Sequence, residues 1–242
     1  MNTKTSALHI GSIEVQVVRK PIKNLHLSIL PPDGKVRVSS PLHLKDNAIR
    51  TLIATRLSWI HKQRAKFTSQ ARESPREYIS GESHYLFGRR YRLEVVFENT
   101  SPRVYVRGKN VIVLQVRPNC PVTRREEVVK DWYRTQLKVV SADLLEKWSA
   151  QIGVHPSLYG IKRMKTRWGT CHHETGRIWL NLELAKKPIP CVEYVVVHEL
   201  LHLIEKSHNE RFLGLMTVYL PTWRNSKEEL NRFILAPEKW NH

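Results

Sequence analysis

The sequence predicts an α+β protein in which a β-rich amino-terminal region precedes a largely helical carboxyl-terminal domain. Three observations carry this expectation. Short strand-like runs bounded by turn residues occupy residues 13–40 and 78–116, and residues 178–184 alternate with a period of two. Apolar residues recur at helical spacing over 123–152 and again from about residue 191. Turn chemistry punctuates the strands: Pro31-Pro32-Asp33-Gly34, Arg107-Gly108-Lys109-Asn110, and His173-Glu174-Thr175-Gly176-Arg177. The expected division is a β-rich region with one helix at 1–118 and a second domain at 119–242.

In chain order, IEVQVVRK (13–20) and LHLSILPPDGKVRVSS (25–40) read as strands, the second broken by a turn in which Gly34 takes a positive φ. Residues 45–68 place Ile49, Leu52, Ile53, Leu57 and Ile60 on one helical face, a core stripe. SQARESPRE (69–77) reads as a linker. YISGESHYLFGRRYRLEVVFE and SPRVYVRGKNVIVLQV then suggest a small antiparallel sheet. Residues 123–152 form the longest amphipathic pattern, with Thr123 as its expected cap and Glu126 three residues on. Ile178, Leu180, Leu182 and Leu184 alternate with Trp179, Asn181 and Glu183, so residues 177–184 read as one arm of a hairpin. Pro188 and Pro190 end that strand, and a helix begins near Cys191. No internal repeat or low-complexity tract is evident.

At 242 residues the chain can bury a proper core without a metal to hold it together. No apolar run approaches a membrane span, and MNTKTSALHIGSIEV lacks the apolar core of a signal peptide, so a cytoplasmic protein with no membrane partner is expected. Cys120, Cys171 and Cys191 are odd in number and widely spaced, which argues against a disulfide framework. The net charge of +18 is spread along both halves of the chain and attracts polyanions, nucleic acid first among them.

Residues 195–212 read VVVHELLHLIEKSHNERF. On a helix His198 and His202 project from one face, and two imidazoles so placed can share one zinc ion. Glu199 lies about 100° round the helix, too far to be an ideal ligand but near enough to take a proton from a water at the metal. A catalytic zinc needs a third protein ligand and an open position. His208 completes the pattern HExxHx5H; a downstream carboxylate, Glu228 or Glu229, is the competing ligand. Metzincin proteases share that spacing but place Gly where this chain has Glu205. HExxH arises by chance in roughly one chain in twenty of this composition, and a third His at fixed spacing in roughly one in several hundred. The pattern therefore points to a hydrolase with one Zn2+ per chain, protein or peptide as substrate, and Glu199 as general base.

Around this motif, Arg167-Trp168-Gly169-Thr170-Cys171, Gly176-Arg177-Ile178, Leu180-Asn181, Pro190 and Glu193-Tyr194-Val195-Val196-Val197-His198-Glu199-Leu200 closely resemble the YgjP-like metallopeptidases, relatives of the SprT and Spartan proteases. Pro221-Thr222-Trp223, with Lys227 and Leu230, is similar to that family's ending, and Gly81-Glu82 with Leu86-Phe87-Gly88-Arg89-Arg90-Tyr91 matches its amino-terminal part more loosely. The resemblance implies a zincin-like, minimal gluzincin-type core behind a β-rich region. It assigns His198, His202 and His208 to zinc and Glu199 to the base. Many members have Cys where this chain has Leu201, a position pointing away from the metal.

Further expectations attach to neighbouring residues. Strand 177–184 is a candidate for pairing with extended substrate, with Arg177, Trp179 and Asn181 as contacts; core packing is the rival for its Ile/Leu face. KRMKTR (162–167) beside Trp168 suits a nucleic-acid backbone with a stacked base, or else Trp168 is buried under the zinc helix. Cys171, His172 and His173 lack a partner pair at metal-binding spacing. Arg211, Tyr219 and His172 are candidate carbonyl stabilisers. Two other functions remain open: nucleic-acid binding with proteolysis confined to DNA-associated proteins, and a zinc-stabilised interaction module without catalysis.

Overall fold

The structure is a computed structural model and describes residues 4–30, 34–69, 76–164 and 167–232. The chain divides into two compact units between Glu73 and Ser74.

In the first unit, β1 (Lys4–Ile10), β2 (Ile13–Lys20), β3 (His26–Leu30) and β4 (Lys35–Pro41) form a sheet in the order β1-β2-β4-β3. The central pair is parallel and the outer pairs are antiparallel. Alternation sends Ile13, Val15 and Val17 of β2 and Val36 and Val38 of β4 to one face. They pack there on Ile49 and Ile53 of α1 (Asp46–Thr55) and Ile60 of α2 (Leu57–Ser69). The single helix expected over 45–68 is interrupted at Arg56, whose φ of −112° and ψ of 11° leave the helical region. Gly34 has the expected positive φ, +66°; the rest of its turn, residues 31–33, lies outside the described residues.

The second unit begins with the same plan. Strands β5 (Ser83–Leu86), β6 (Arg89–Phe97), β7 (Arg103–Arg107) and β8 (Val111–Val116) are ordered β5-β6-β8-β7, again with a parallel centre and antiparallel flanks. A helix follows each sheet: Trp59-Ile60 with Gln63 in the first, Trp132-Tyr133 with Gln136 in the second, where Ile60 and Tyr133 are both buried. The two units thus share one strand order, which the absence of a sequence repeat does not reveal. Few side chains repeat, because alternation demands only that core positions be apolar.

The second helix, α3 (Val122–Ile152), is capped by Pro121 and not by Thr123. The first helical bonds run from Arg124 N and Arg125 N to the Pro121 carbonyl, both at 3.0 Å. Proline is pre-set for this place, since its φ is fixed near −65°.

A third sheet follows, with β9 (Leu158–Lys162), β10 (Gly169–His172) and β11 (Arg177–Asn181) in the order β10-β11-β9. Gly176, φ +63°, turns the β10–β11 hairpin. The expected strand 177–184 stops at Asn181, whose side chain accepts from Glu183 N and so caps a 3-10 turn over Leu182–Lys186. Helices α4 (Ile189–Leu201), α5 (Glu210–Tyr219) and α6 (Trp223–Arg232) complete the unit.

Residue 118, the expected boundary, falls inside this unit. Leu93, Ile112 and Leu114 of the β5–β8 sheet share one core with Leu137 of α3, Leu180 of β11 and Val196 of α4. The turn between β5 and β6 also fits the approach to α4: Phe87 N donates to Ala185 O at 2.8 Å, and a Cβ on Gly88 would lie 2.8 Å from Pro188. Among the described residues no helix is long and apolar enough to cross a membrane.

Candidate metal centre

Helix α4 starts at prolines that suit a first turn, and Val195, Val196, Val197, Leu200 and Leu201 anchor it in the core. It ends on its second histidine. His202 is the C-cap, and the chain tightens beyond it through Leu203 N to Leu200 O at 2.9 Å and Ile204 N to Leu201 O at 3.0 Å. Glu205 then fixes the turn without a positive φ. Its carbonyl accepts from His202 Nδ1 at 2.9 Å, and its carboxylate accepts from Ser207 N at 3.2 Å. Asn209 caps α5 by accepting from Phe212 N at 3.0 Å. Between these two fixed points His208 folds back onto α4.

The outcome is a triangle of ring nitrogens. His198 Nε2 and His202 Nε2 are 3.2 Å apart, His202 and His208 3.1 Å, and His208 and His198 3.0 Å. Three imidazoles cannot all hydrogen-bond one another this way, because each Nε2 offers either a proton or a lone pair. The bond from His202 Nδ1 to Glu205 O keeps the proton on Nδ1 and leaves its Nε2 a lone pair. Tetrahedral bonds of about 2.05 Å would set ligand nitrogens about 3.3 Å apart, close to the observed spacing, so the three nitrogens fit a shared metal ion. His198, His202 and His208 form a group able to hold a metal ion.

Phe212 packs against all three histidine rings. Its ring centroid lies 5.0, 4.7 and 4.9 Å from those of His198, His202 and His208, and its side chain is fully buried. Burial, reinforced by the other two histidines and Lys227, pushes His198 down to about 3, so it is neutral and ready to ligate at ordinary pH.

Glu199 is 5% exposed. Burial pushes its carboxyl up to about 8, with Arg167 opposing the shift. The carboxyl lies against the backbone of β10: a Cβ on Gly169 would come within 2.5 Å of Glu199 Oε1. Glycine is therefore required at 169. The histidines and Glu199 open into a cavity of about 630 Å³, walled on one side by residues 167–174 and on the other by α4. Tyr194, one turn before His198, also lines it, its ring 5.7 Å from that of His198 and stacked on Trp223.

Glu228 and Glu229 lie outside the ligand group; Glu229 instead accepts from Cys191 Sγ at 3.7 Å. Strand β11 is central in its sheet, so both its edges are paired and it cannot add a substrate strand. Asn181 is 0% exposed and serves the fold. Its amide donates to Met164 O at 2.8 Å and Arg167 O at 2.7 Å, which pins the loop leading to β10. Trp179 packs on Gly160, where a Cβ would meet its ring at 2.6 Å, and Lys162 Nζ sits 4.6 Å from the ring centroid. Arg177 is exposed at the start of β11 and, like Trp179 and Asn181, does not line the cavity.

Trp168 does line the cavity, half-buried, with Lys187 Nζ 5.7 Å from its ring; Lys165 and Thr166 lie outside the described residues. His172 Nδ1 accepts from Thr175 N, and His173 Nδ1 donates to the His202 carbonyl at 2.7 Å, so neither forms a second metal group with Cys171. Of the carbonyl-stabilising candidates, His172 lines the cavity, whereas Arg211 and Tyr219 do not. Sequence reasoning missed Phe212, Gly169 and Tyr194. Phe212 stands four residues after His208 and Tyr194 four before His198, a helical spacing that would have drawn attention to both.

Residues 23–233 match the family model described as YgjP-like, metallopeptidase domain. No curated protein matches the chain.

Proposed function

The chain belongs to the YgjP-like metallopeptidase family, and from that premise we propose that it is a zinc-dependent peptidase in which Glu199 acts as general base. The observation that carries this reading is the triangle of three ring nitrogens with a buried carboxyl on the same helix, open to one cavity. A zincin-like core of minimal gluzincin type agrees with the same arrangement.

His198, His202 and His208 would hold the ion through Nε2, and the depressed basicity of His198 suits a cation. Zinc bound there supplies Lewis acidity, lowers the pKa of water from 15.7 towards about 7, polarises the scissile carbonyl and draws Glu199 into its ionised form. Glu199, seated on Gly169, takes the proton of the attacking water and passes it to the departing amine nitrogen. β10 has a neighbour on one side only among the described residues, so its outer edge offers main-chain groups to an extended peptide without demands on side-chain sequence. His172 is our candidate donor to the carbonyl oxygen. Its Nδ1 is committed as an acceptor from Thr175, which places the remaining proton on Nε2. We place the enzyme in the cytoplasm, where three free cysteines stay reduced.

Glu199→Gln tests the assignment. Zinc content is expected to be unchanged while hydrolysis of a quenched peptide falls about 10²- to 10⁴-fold. Full zinc with wild-type turnover in this variant would remove Glu199 as the base.

A further inference from the structure

The sheet of β5–β8 has two faces of different character. Leu86, Tyr91, Leu93, Ile112, Leu114 and Val116 face the core. The alternate positions face outward, and the register places Tyr85 beside Arg90 on one flank and Arg103, Tyr105 and Arg107 along β7 on the other. Arg92 lies between them, paired with Ser83 and Val111. Tyr85 is 39% exposed and Tyr105 37%. They stand on opposite edge strands, three strand spacings or about 14 Å apart, too far to stack on each other. Glu94 is the sole acid among the strand residues of this face, and it pairs with Arg107.

The arginines are held in place. Arg90 Nε donates to Ser83 Oγ at 2.9 Å, and Arg103 Nε donates to Gln115 Oε1 at 2.9 Å. Gln115 is itself buried and bonded to Glu98 and Thr100. Arg103 also lies 5.3 Å from the Tyr105 ring centroid. The outward face of the topologically equivalent first sheet also carries basic residues, Lys35 and Arg37 with His9 and His26, beside Glu14, Gln16 and Ser28, but its strands hold no Phe, Tyr or Trp. The Arg/Tyr face is thus a property of one copy and not of the plan. It shares no residue with the metal cavity.

We propose that this outward face binds single-stranded nucleic acid, with Tyr85 and Tyr105 stacking on bases and Arg90, Arg92, Arg103 and Arg107 meeting phosphates. On this face Val113 and Gln115 of the central strand are buried beneath their neighbours, while the flanking Tyr85 and Tyr105 are exposed among cations, an arrangement that bases and backbone can satisfy together. An acidic peptide would be drawn by the arginines alone and has no π-face to offer the tyrosines. That difference separates the two partners experimentally.

The test uses the full chain and fluorescein-labelled 15-mer dT and U strands, followed by anisotropy between 50 and 200 mM NaCl. Four phosphate contacts predict a slope of log K against log salt of about −2 to −3. Tyr85→Ala and Tyr105→Ala should each weaken binding by about 5- to 150-fold, and Tyr→Phe should restore it. Arg103→Glu/Arg107→Glu should flatten the slope by roughly 1.4. Thermal midpoints and metal content identify variants that remain folded. The proposal is overturned if folded Tyr→Ala variants bind as the wild type does, if duplex DNA is preferred to single strands, or if polyglutamate competes equally and ignores the tyrosines.

Discussion

Gly169→Ala places one methyl group where the fold puts the Glu199 carboxyl, the base proposed above. Its Cβ would stand 2.5 Å from Glu199 Oε1 and 2.7 Å from Cγ, against an ordinary contact of 3.4 Å or more. Carboxyl and strand must therefore separate by about 0.9 Å. Misplacement on this scale costs on the order of 10²-fold in turnover, about 2.7 kcal/mol of barrier. His198, His202 and His208 are untouched by the methyl, so whatever metal the wild type holds should be retained in full. Steady-state hydrolysis of a quenched peptide, with metal analysis on the same preparation, reads both quantities. Gly214→Ala is the control, since nothing lies within 4 Å of its added Cβ in the middle of α5. That change should leave turnover alone and stabilise the helix by about 0.5–1 kcal/mol. If Gly169→Ala keeps full zinc and wild-type kcat, the seat assigned to Glu199 is wrong.

Three other outcomes are expected. Removing the metal with a chelator should abolish hydrolysis and lower the melting temperature, both recovered on adding zinc back, whereas His208→Ala should prevent recovery at stoichiometric zinc. Asn181→Ala should cost roughly 3 kcal/mol in denaturant unfolding and lower kcat/KM, because the loop carrying Arg167 and Trp168 loses its buried anchor. His84 is held down to about 4, chiefly by burial and then by Arg76. It is neutral in the fold, while the unfolded chain takes up a proton below about 6.5, so its contribution is present above that pH and is lost as pH falls towards 4. The loss should reach about 3 kcal/mol in chemical denaturation, and His84→Gln should flatten that part of the profile.

The three-histidine cluster was legible because its spacing is periodic: His198 and His202 share a helical face by arithmetic, and His208 follows at a spacing one turn can bridge. What surrounds them was not, because it depends on contacts between distant segments. Nothing local marks Gly169 as the surface beneath Glu199, or Asn181 as the clamp on a loop more than a dozen residues earlier. Asn181 stood in an alternating pattern and was read with its neighbours, yet its side chain competed for the backbone and ended the strand. Thr123 made a plausible cap on residue type, but Pro121 took the place through its fixed φ. The paired sheets escaped notice because strand order leaves no trace in sequence when core positions need only be apolar.

That α4 stops at His202 divides the three proposed ligands by kinetic character. His198 rides on a helix turn locked among buried valines and leucines, whereas His202 and His208 bracket a short non-helical connection with most of its side chains partly or fully exposed. Opening of this connection is a small, local event, far cheaper than melting the core. It would carry two of the three ligands away together while the first stays in place. Release of the ion and fraying of residues 203–207 are then one process, and amide exchange along that segment should slow when the ion binds. The helix end acts as a clasp, setting how long the metal stays as much as how tightly it is held.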